Sequence, residues 1–240
     1  MNQKDAVNQQ NLDETHTNNE IDEINENKLK EYENVVFGDS DGNLYKLCIK
    51  DQKIVQKIDK LHNDFIYSIA KTKDDQYIYT SGFDGFLKKL SVEDFQIVKD
   101  FGRIHDTFIN CIATTNEYLF TSDWNGNLKQ WRIYHDKLEK NYGKIHENGI
   151  FSIATTNDNQ YLFTSDEKGY LKQFMIKDQK VIKDYGKAHN DRIYSMVTTM
   201  DSTILFTSDR EGVIKQWCIK DRNIQKNYGK VHDYTIYTLY

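Results

Sequence analysis

Five histidines constrain this chain most: His62, His105, His146, His189 and His232 stand 43, 41, 43 and 43 residues apart. Self-similarity at such a period implies stacked or radial repeats, because a unit of this length cannot bury its apolar face alone. Each unit keeps one internal order. A short apolar segment follows the histidine: "IYSIA" (66–70), "INCIA" (109–113), "IFSIA" (150–154) and "IYSMV" (193–197). A polar turn leads to "YIYTS" (77–81), "YLFTS" (118–122), "YLFTS" (161–165) and "ILFTS" (204–208). A glycine turn leads to "FLKKL" (86–90), "NLKQW" (127–131), "YLKQF" (170–174) and "VIKQW" (213–217). A fourth, more polar segment completes the unit, as in "KVIKDYGK" (180–187).

These segments are short, rich in aromatic and β-branched residues, and bounded by Asn, Asp or Gly. That pattern predicts strands, four per unit. None sustains a 3.6-residue period over the length a helix needs. Only 38% of the chain is apolar, but 13% is aromatic, and each aromatic buries a large area. A core is therefore within reach. Four short strands per repeat, with the last one polar, describe one blade of a β-propeller. The inner strands are covered, and the outermost faces solvent along one edge.

Ahead of the repeats, residues 1–33 carry three lysines against nine acids, rich in Asn and Gln. This acidic segment cannot bury enough surface to offset its ordering entropy, so it is expected to be a disordered tail, with a short polar helix over 20–32 as the alternative. The net charge is −5, and neither the tail nor the nearly neutral remainder has the basic excess of a nucleic-acid binder. Cys48, Cys111 and Cys218 are far apart and lack Cys-x-x-Cys spacing, which argues against disulfides and zinc sites. No apolar run approaches the roughly 20 residues of a transmembrane helix, and the N-terminus has no apolar signal core. The expected setting is cytoplasmic, with the nucleus as an alternative, and no membrane association.

The unit resembles the WD-repeat β-propellers from about residue 34 to residue 240. That family's unit opens with a His, then places a Ser or Thr in the second strand, an Asp in the turn before a Gly, and a Trp in the third strand. The matching residues are His62, Thr80, Asp84 and Leu90; His105, Thr121, Asn125 and Trp131; His146, Thr164, Lys168 and Phe174; and His189, Thr207, Glu211 and Trp217. The resemblance implies a hydrogen-bonded chain of these side chains inside each blade. A buried imidazole and hydroxyl need partners, and a carboxylate fixes the ring.

One departure recurs. The turn Asp survives in the full units only as Asp84, and the units that lose it gain Asp123, Asp166 or Asp209 two residues earlier. The unit that keeps it has Gly82 there. Two residues along a strand is the same face, so the earlier aspartate is expected to take over as partner of the histidine. The ends are complementary. "NVVFGDSDGNLYKL" (34–47) matches second and third strands, whereas "VHDYTIYTLY" (231–240) is a His with a first strand only. The expected fold is an all-β propeller of five four-stranded blades, closed by the C-terminal strand pairing with the N-terminal three. The alternative is a piece of a longer propeller, seven-bladed for example.

Chemistry finds little support. Equivalent positions around a ring do not converge on one ion, so the five histidines are expected to be structural. His16 and His135 have no ligand partners at metal spacing. There is no Gly-x-Ser-x-Gly elbow, no recurring Cys–His pair and no phosphate-binding glycine loop. Asp39, Asp41 and Asn43 alternate in "FGDSDGNLY" (37–45), but no Glu follows at the loop's end, so a blade turn is expected rather than calcium. The paired basic motif of phosphoinositide-binding propellers is absent. The Trp-Asp-x-Arg of ubiquitin-ligase adaptors is replaced by "WRIY" (131–134) and "WCIK" (217–220). No metal, cofactor, small-molecule substrate or catalysis is expected.

What varies between units should carry specificity. Before the tetrad's turn position stand Phe83, Trp124, Glu167 and Arg210. Five residues after each histidine come Tyr67, Asn110, Phe151, Tyr194 and Tyr237, and three after come Phe65, Phe108, Gly149, Arg192 and Thr235. In WD-repeat propellers the matching positions surround the central opening and contact partners. Aromatics and Arg are the residue types of binding hot spots. The expected function is a non-catalytic scaffold or adaptor for a protein or peptide. The alternatives are a fragment of a larger multidomain protein whose activity lies elsewhere, and an enzyme built on the propeller. The latter needs acids or ligands converging on the opening, and the turns offer no matched pair.

Overall fold

The computed structural model describes residues 34–239, and the tail expected over 1–33 lies outside them. Every described element is a strand. Residues 34–37 with 44–59 form one unit, and residues 38–43 with the chain from Lys60 onward form another.

In the first unit, β1 (Asn34–Gly38), β2 (Leu44–Cys48) and β3 (Lys53–Ile58) pair in chain order as a three-stranded sheet. Phe37 stacks on Tyr45 with ring centroids 5.0 Å apart, and the Lys57 ammonium lies 5.4 Å from the Tyr45 centroid.

The second unit holds four blades. The second blade is β4 (Ile66–Lys71), β5 (Tyr77–Gly82), β6 (Phe86–Ser91) and β7 (Ile97–Arg103). The third is β8 (Ile109–Thr114), β9 (Tyr118–Asp123), β10 (Asn127–Arg132) and β11 (Lys137–Lys144). The fourth is β12 (Ile150–Thr155), β13 (Tyr161–Asp166), β14 (Tyr170–Met175) and β15 (Lys180–Lys187). The fifth is β16 (Ile193–Thr198), β17 (Ile204–Asp209), β18 (Val213–Cys218) and β19 (Asn223–Lys230). Each is an antiparallel meander, and β4, β8, β12 and β16 neighbour one another from blade to blade. The fold is all-β, of the WD-type β-propeller class.

The cores lie between blades. Leu119 packs with Tyr79 and Leu87 of the second blade, while the next residue, Phe120, packs with Leu162 and Phe174 of the fourth. Successive strand residues face opposite sides, and here both sides are covered. That is why the second strands read as continuous apolar runs instead of alternating. Ile133, Ile176 and Ile219, each just past a third strand, complete the three cores. Phe120 is fully buried, and its truncation to Ala should cost about 3–5 kcal/mol.

Polar joints repeat along the inner strands. The Thr114 hydroxyl donates to the Lys71 carbonyl at 2.7 Å, Thr155 to the Thr114 carbonyl at 3.0 Å, and Thr198 to the Thr155 carbonyl at 3.0 Å. At the outer edge, Gly102, Gly143, Gly186 and Gly229 adopt φ of 64–70°. Their N–H groups donate to Asp100, Asn141, Asp184 and Asn227 two residues earlier. The pairing register skips there, and a bulged edge strand is a poor template for another chain.

The expected closing ladder is not among those of the described residues, since the first sheet has three strands. Hydrogen bonds of the C-terminal segment go elsewhere. Leu239 N–H donates to Ser195 Oγ at 2.8 Å, and the Ile236 carbonyl accepts from Ser208 at 3.3 Å. The Leu239 bond repeats the one from Ile112 N–H to Ser68 Oγ, by which β8 joins β4. The segment therefore lies beside β16 as an inner strand would.

Candidate functional site

A carboxylate only accepts, so where it faces His Nδ1 the proton sits on Nδ1 and Nε2 is left to accept. In the third blade His105 Nδ1 lies 3.2 Å from Asp123, and Nε2 lies 2.9 Å from Thr121 Oγ1. The Trp131 indole donates to that hydroxyl oxygen at 3.1 Å. Donation thus runs from Trp131 through Thr121 and His105 to Asp123. The fifth blade repeats it: Trp217 to Thr207 at 3.0 Å, Thr207 to His189 at 2.7 Å, His189 to Asp209 at 2.8 Å. In the fourth blade Phe174 supplies no donor. His146 sits 2.8 Å from Thr164 and 3.7 Å from Asp166, which also accepts from the Asn148 amide. In the second blade Leu90 stands in the Trp position, Thr80 is 2.9 Å from His62 Nε2, and both Asp84 oxygens lie 3.1 Å from Nδ1.

The strand-end aspartates do a second job. Asp123 accepts the N–H groups of Asn125 and Asn127, Asp166 those of Lys168 and Tyr170, and Asp209 those of Glu211 and Val213. Asp39 holds Asp41 and Asn43 in the same way, with the Asn43 amide on its other oxygen as Asn127 is on that of Asp123. The alternating acids of residues 39–43 thus form one more copy of the blade turn. Gly126 closes this turn with φ +85°, and a Cβ there would lie 2.1 Å from the His146 carbonyl oxygen. Asn125, Lys168 and Glu211, in the family's tetrad position, are exposed.

Gly82 explains the exception. A Cβ at this position would lie 2.2 Å from the Phe65 carbonyl oxygen, so no aspartate fits and the carboxylate comes from position 84.

Burial raises the carboxyls of Asp84, Asp123, Asp166 and Asp209, but the facing histidines and the backbone N–H groups, with the Asn148 amide at Asp166, outweigh it and hold all four below their ordinary range. Burial pushes His189 below the usual imidazole value, against the pull of Asp209. With both ring nitrogens engaged, His62, His105 and His189 offer none to an ion or substrate. Among the described residues no group of three His, Cys, Asp or Glu is placed to hold a metal. His232 is exposed and accepts from Tyr234 N–H. The Cys111 thiol donates to the Phe151 carbonyl at 2.8 Å, and burial pushes it up to about 12.

The Lys-Gln pair recurs in the third, fourth and fifth units, but recurrence alone assigns it no role. Lys129, Lys172 and Lys215 donate to the carbonyls of Ile104, Ile145 and Ala188, just before each histidine. Gln130, Gln173 and Gln216 accept from Tyr142, Tyr185 and Tyr228 on the outer strands. The available signal was a Tyr recurring twelve residues after the Gln.

The variable positions form a ribbon of rings. Phe65 and Tyr67 lie 6.1 Å apart, Tyr67 and Phe108 5.8 Å, and Phe83 stacks on Phe108 at 4.8 Å. Phe108 meets Trp124 at 4.9 Å, Trp124 meets Phe151 at 5.2 Å, Phe151 meets Tyr194 at 6.4 Å, and Tyr194 meets Tyr237 at 5.1 Å. Phe65, Tyr67, Phe83, Trp124 and Tyr237 are exposed, and Phe108, Phe151 and Tyr194 are half-buried. Arg192 lies over Phe151 and pairs with Glu167 at 2.7 Å. Arg210 is exposed, and the Asn110 amide donates to the Ile150 carbonyl.

Residues 53–89 match the WD domain, G-beta repeat family. Over these residues the chain carries a WD repeat, and its other units are consistent with the same family. The matched stretch holds His62, Thr80 and Asp84, the unit whose acid sits in the family's own position; the three units with a displaced acid fall outside the match. No curated protein matches the chain. WD repeats generally mediate protein interactions and are generally non-catalytic.

Proposed function

We propose that this WD-repeat chain is a non-catalytic scaffold or adaptor of the cytoplasm, an acidic tail over 1–33 followed by a propeller domain over 34–240. It binds a protein or peptide segment through the aromatic ribbon, and takes no nucleic acid, membrane or small-molecule substrate. One observation carries the reading: a contiguous series of eight rings crosses four blades, and five of them are exposed to solvent. Large aromatics cost free energy when left in water, and contiguous exposed apolar surface of this kind marks interaction sites. Flat rings also bury much area while losing little side-chain entropy, as hot spots require. The buried histidine networks supply the rigid support. The test is affinity capture with intact chain and with Trp124→Ala and Arg210→Ala. Loss of a partner from the variants is the expected result, and retention of every partner by both discards this face.

A further inference from the structure

The interaction face already holds one cation of its own. The Arg192 guanidinium carbon lies 3.8 Å from the Phe151 centroid and 5.4 Å from that of Tyr194, with a terminal nitrogen 2.7 Å from Glu167. An aromatic face and a carboxylate are the two features that together hold a guanidinium away from bulk water.

Trp124 and Glu147 present the same pair of features a short way along the ribbon. They line a groove of about 550 Å³ together with Asn125, Asn148, Lys144 and Glu167. The Glu147 side chain is 91% exposed, and the Lys144 ammonium at 3.0 Å forms an ion pair with it at the surface. An exposed pair of this kind is weak, so a partner's cation can displace the lysine. The asparagine amides supply neutral acceptors beside the carboxylate. The charge pattern extends along the ribbon: every loop after a histidine carries an acid, Asp64, Asp106, Glu147, Asp191 and Asp233. A base also stands two residues before each histidine, as Lys60, Arg103, Lys144, Lys187 and Lys230, and the one at this groove, Lys144, is the surface partner a peptide cation would replace.

Resting on the proposed interaction role, we infer that the face takes an extended peptide segment bearing an Arg or Lys, whose cation seats beside Trp124 against Glu147. Apolar side chains on either side of that residue lie along Phe108, Phe83 and Phe151. An extended backbone suits a ribbon of rings that runs from blade to blade.

The experiment is a positional-scanning library of peptides about eight residues long, screened against the full chain, with selected peptides measured by titration calorimetry. Enrichment of Arg or Lys at one position beside apolar residues is expected. Trp124→Ala and Glu147→Gln should each weaken the selected peptides by about tenfold, while Lys144→Ala tightens them severalfold. A variant that merely lost structure would not produce that gain. Binders that need Trp124 but carry no basic residue, or are indifferent to Glu147→Gln, overturn the cation and leave the interaction face standing. Binders indifferent to Trp124 remove both. A library without any binder overturns the cation-bearing peptide, whereas partner capture through the same face would still uphold the broader role.

Discussion

In the second blade the acid that holds the histidine comes from the turn, as Asp84; in the fifth it comes from the strand end, as Asp209. Asp84 turns both oxygens toward His62 and also accepts the N–H groups of Asn63 and Phe86. Asp209 spends one oxygen on His189 and the other on the two N–H groups that shape the glycine turn. The strand-end solution therefore fixes ring and turn at once. It also releases the turn position, where Glu211, Lys168 and Asn125 now face water. Moving a carboxylate by two residues converts a structural position into a surface one.

The comparison can be broken by removing each acid. Asp209→Ala should destabilise the chain by about 3 kcal/mol, since it orphans a buried imidazole and two turn N–H groups, and thermal unfolding would register the loss. Asp84→Ala should cost a similar amount, and adding Gly82→Asp should fail to restore it, because the new side chain meets the Phe65 carbonyl. Recovery in that double variant would sink the steric account.

Acid titration separates the two kinds of group. The four carboxyls ionise below their unfolded values, so the stability they bring is complete above about pH 4 and drains as pH falls through their folded values. His189 is depressed as well, so the unfolded chain takes up its proton first and stability begins to fall below about pH 6.5. Denaturant midpoints from neutral pH downward should show both declines, and His189→Gln should flatten the earlier one.

Smaller effects sharpen the picture. Trp217→Phe removes one donor to Thr207 and should cost about 1 kcal/mol beyond any packing change, bringing the fifth blade to the state of the fourth with its Phe174. Glu211→Ala should stay within about 0.5 kcal/mol by the same unfolding assay, as befits a position released from the network.

Much of this was legible in the residues. The 43-residue period, the four short segments and the polar outer strand lead to blades, and the exchange of Asp84 for Asp123, Asp166 and Asp209 could be read by comparing units. The reason for the exchange could not, because the clearance at Gly82 depends on where the Phe65 carbonyl lies in space. The Lys-Gln roles were hidden for a related reason: each partner sits on or just past an outer strand, 12 to 27 residues away. The variable positions could be listed from the sequence, yet the contiguity of their rings across blades depends on how neighbouring sheets splay. The closing strand was expected from the complementary ends, and sequence phase alone did not determine where its hydrogen bonds go.

The threonine joints between inner strands have one further consequence. Thr198 donates backward to Thr155, Thr155 to Thr114, and Thr114 to Lys71. Thr114 and Thr155 each offer a hydroxyl to the blade behind, while their backbone oxygens receive the blade ahead. A segment copied whole therefore brings both halves of its joint with it. Lengthening such a gene by duplication needs no new fitting between old and new units, and the wording shared by the third, fourth and fifth repeats is what a coupling of that kind permits.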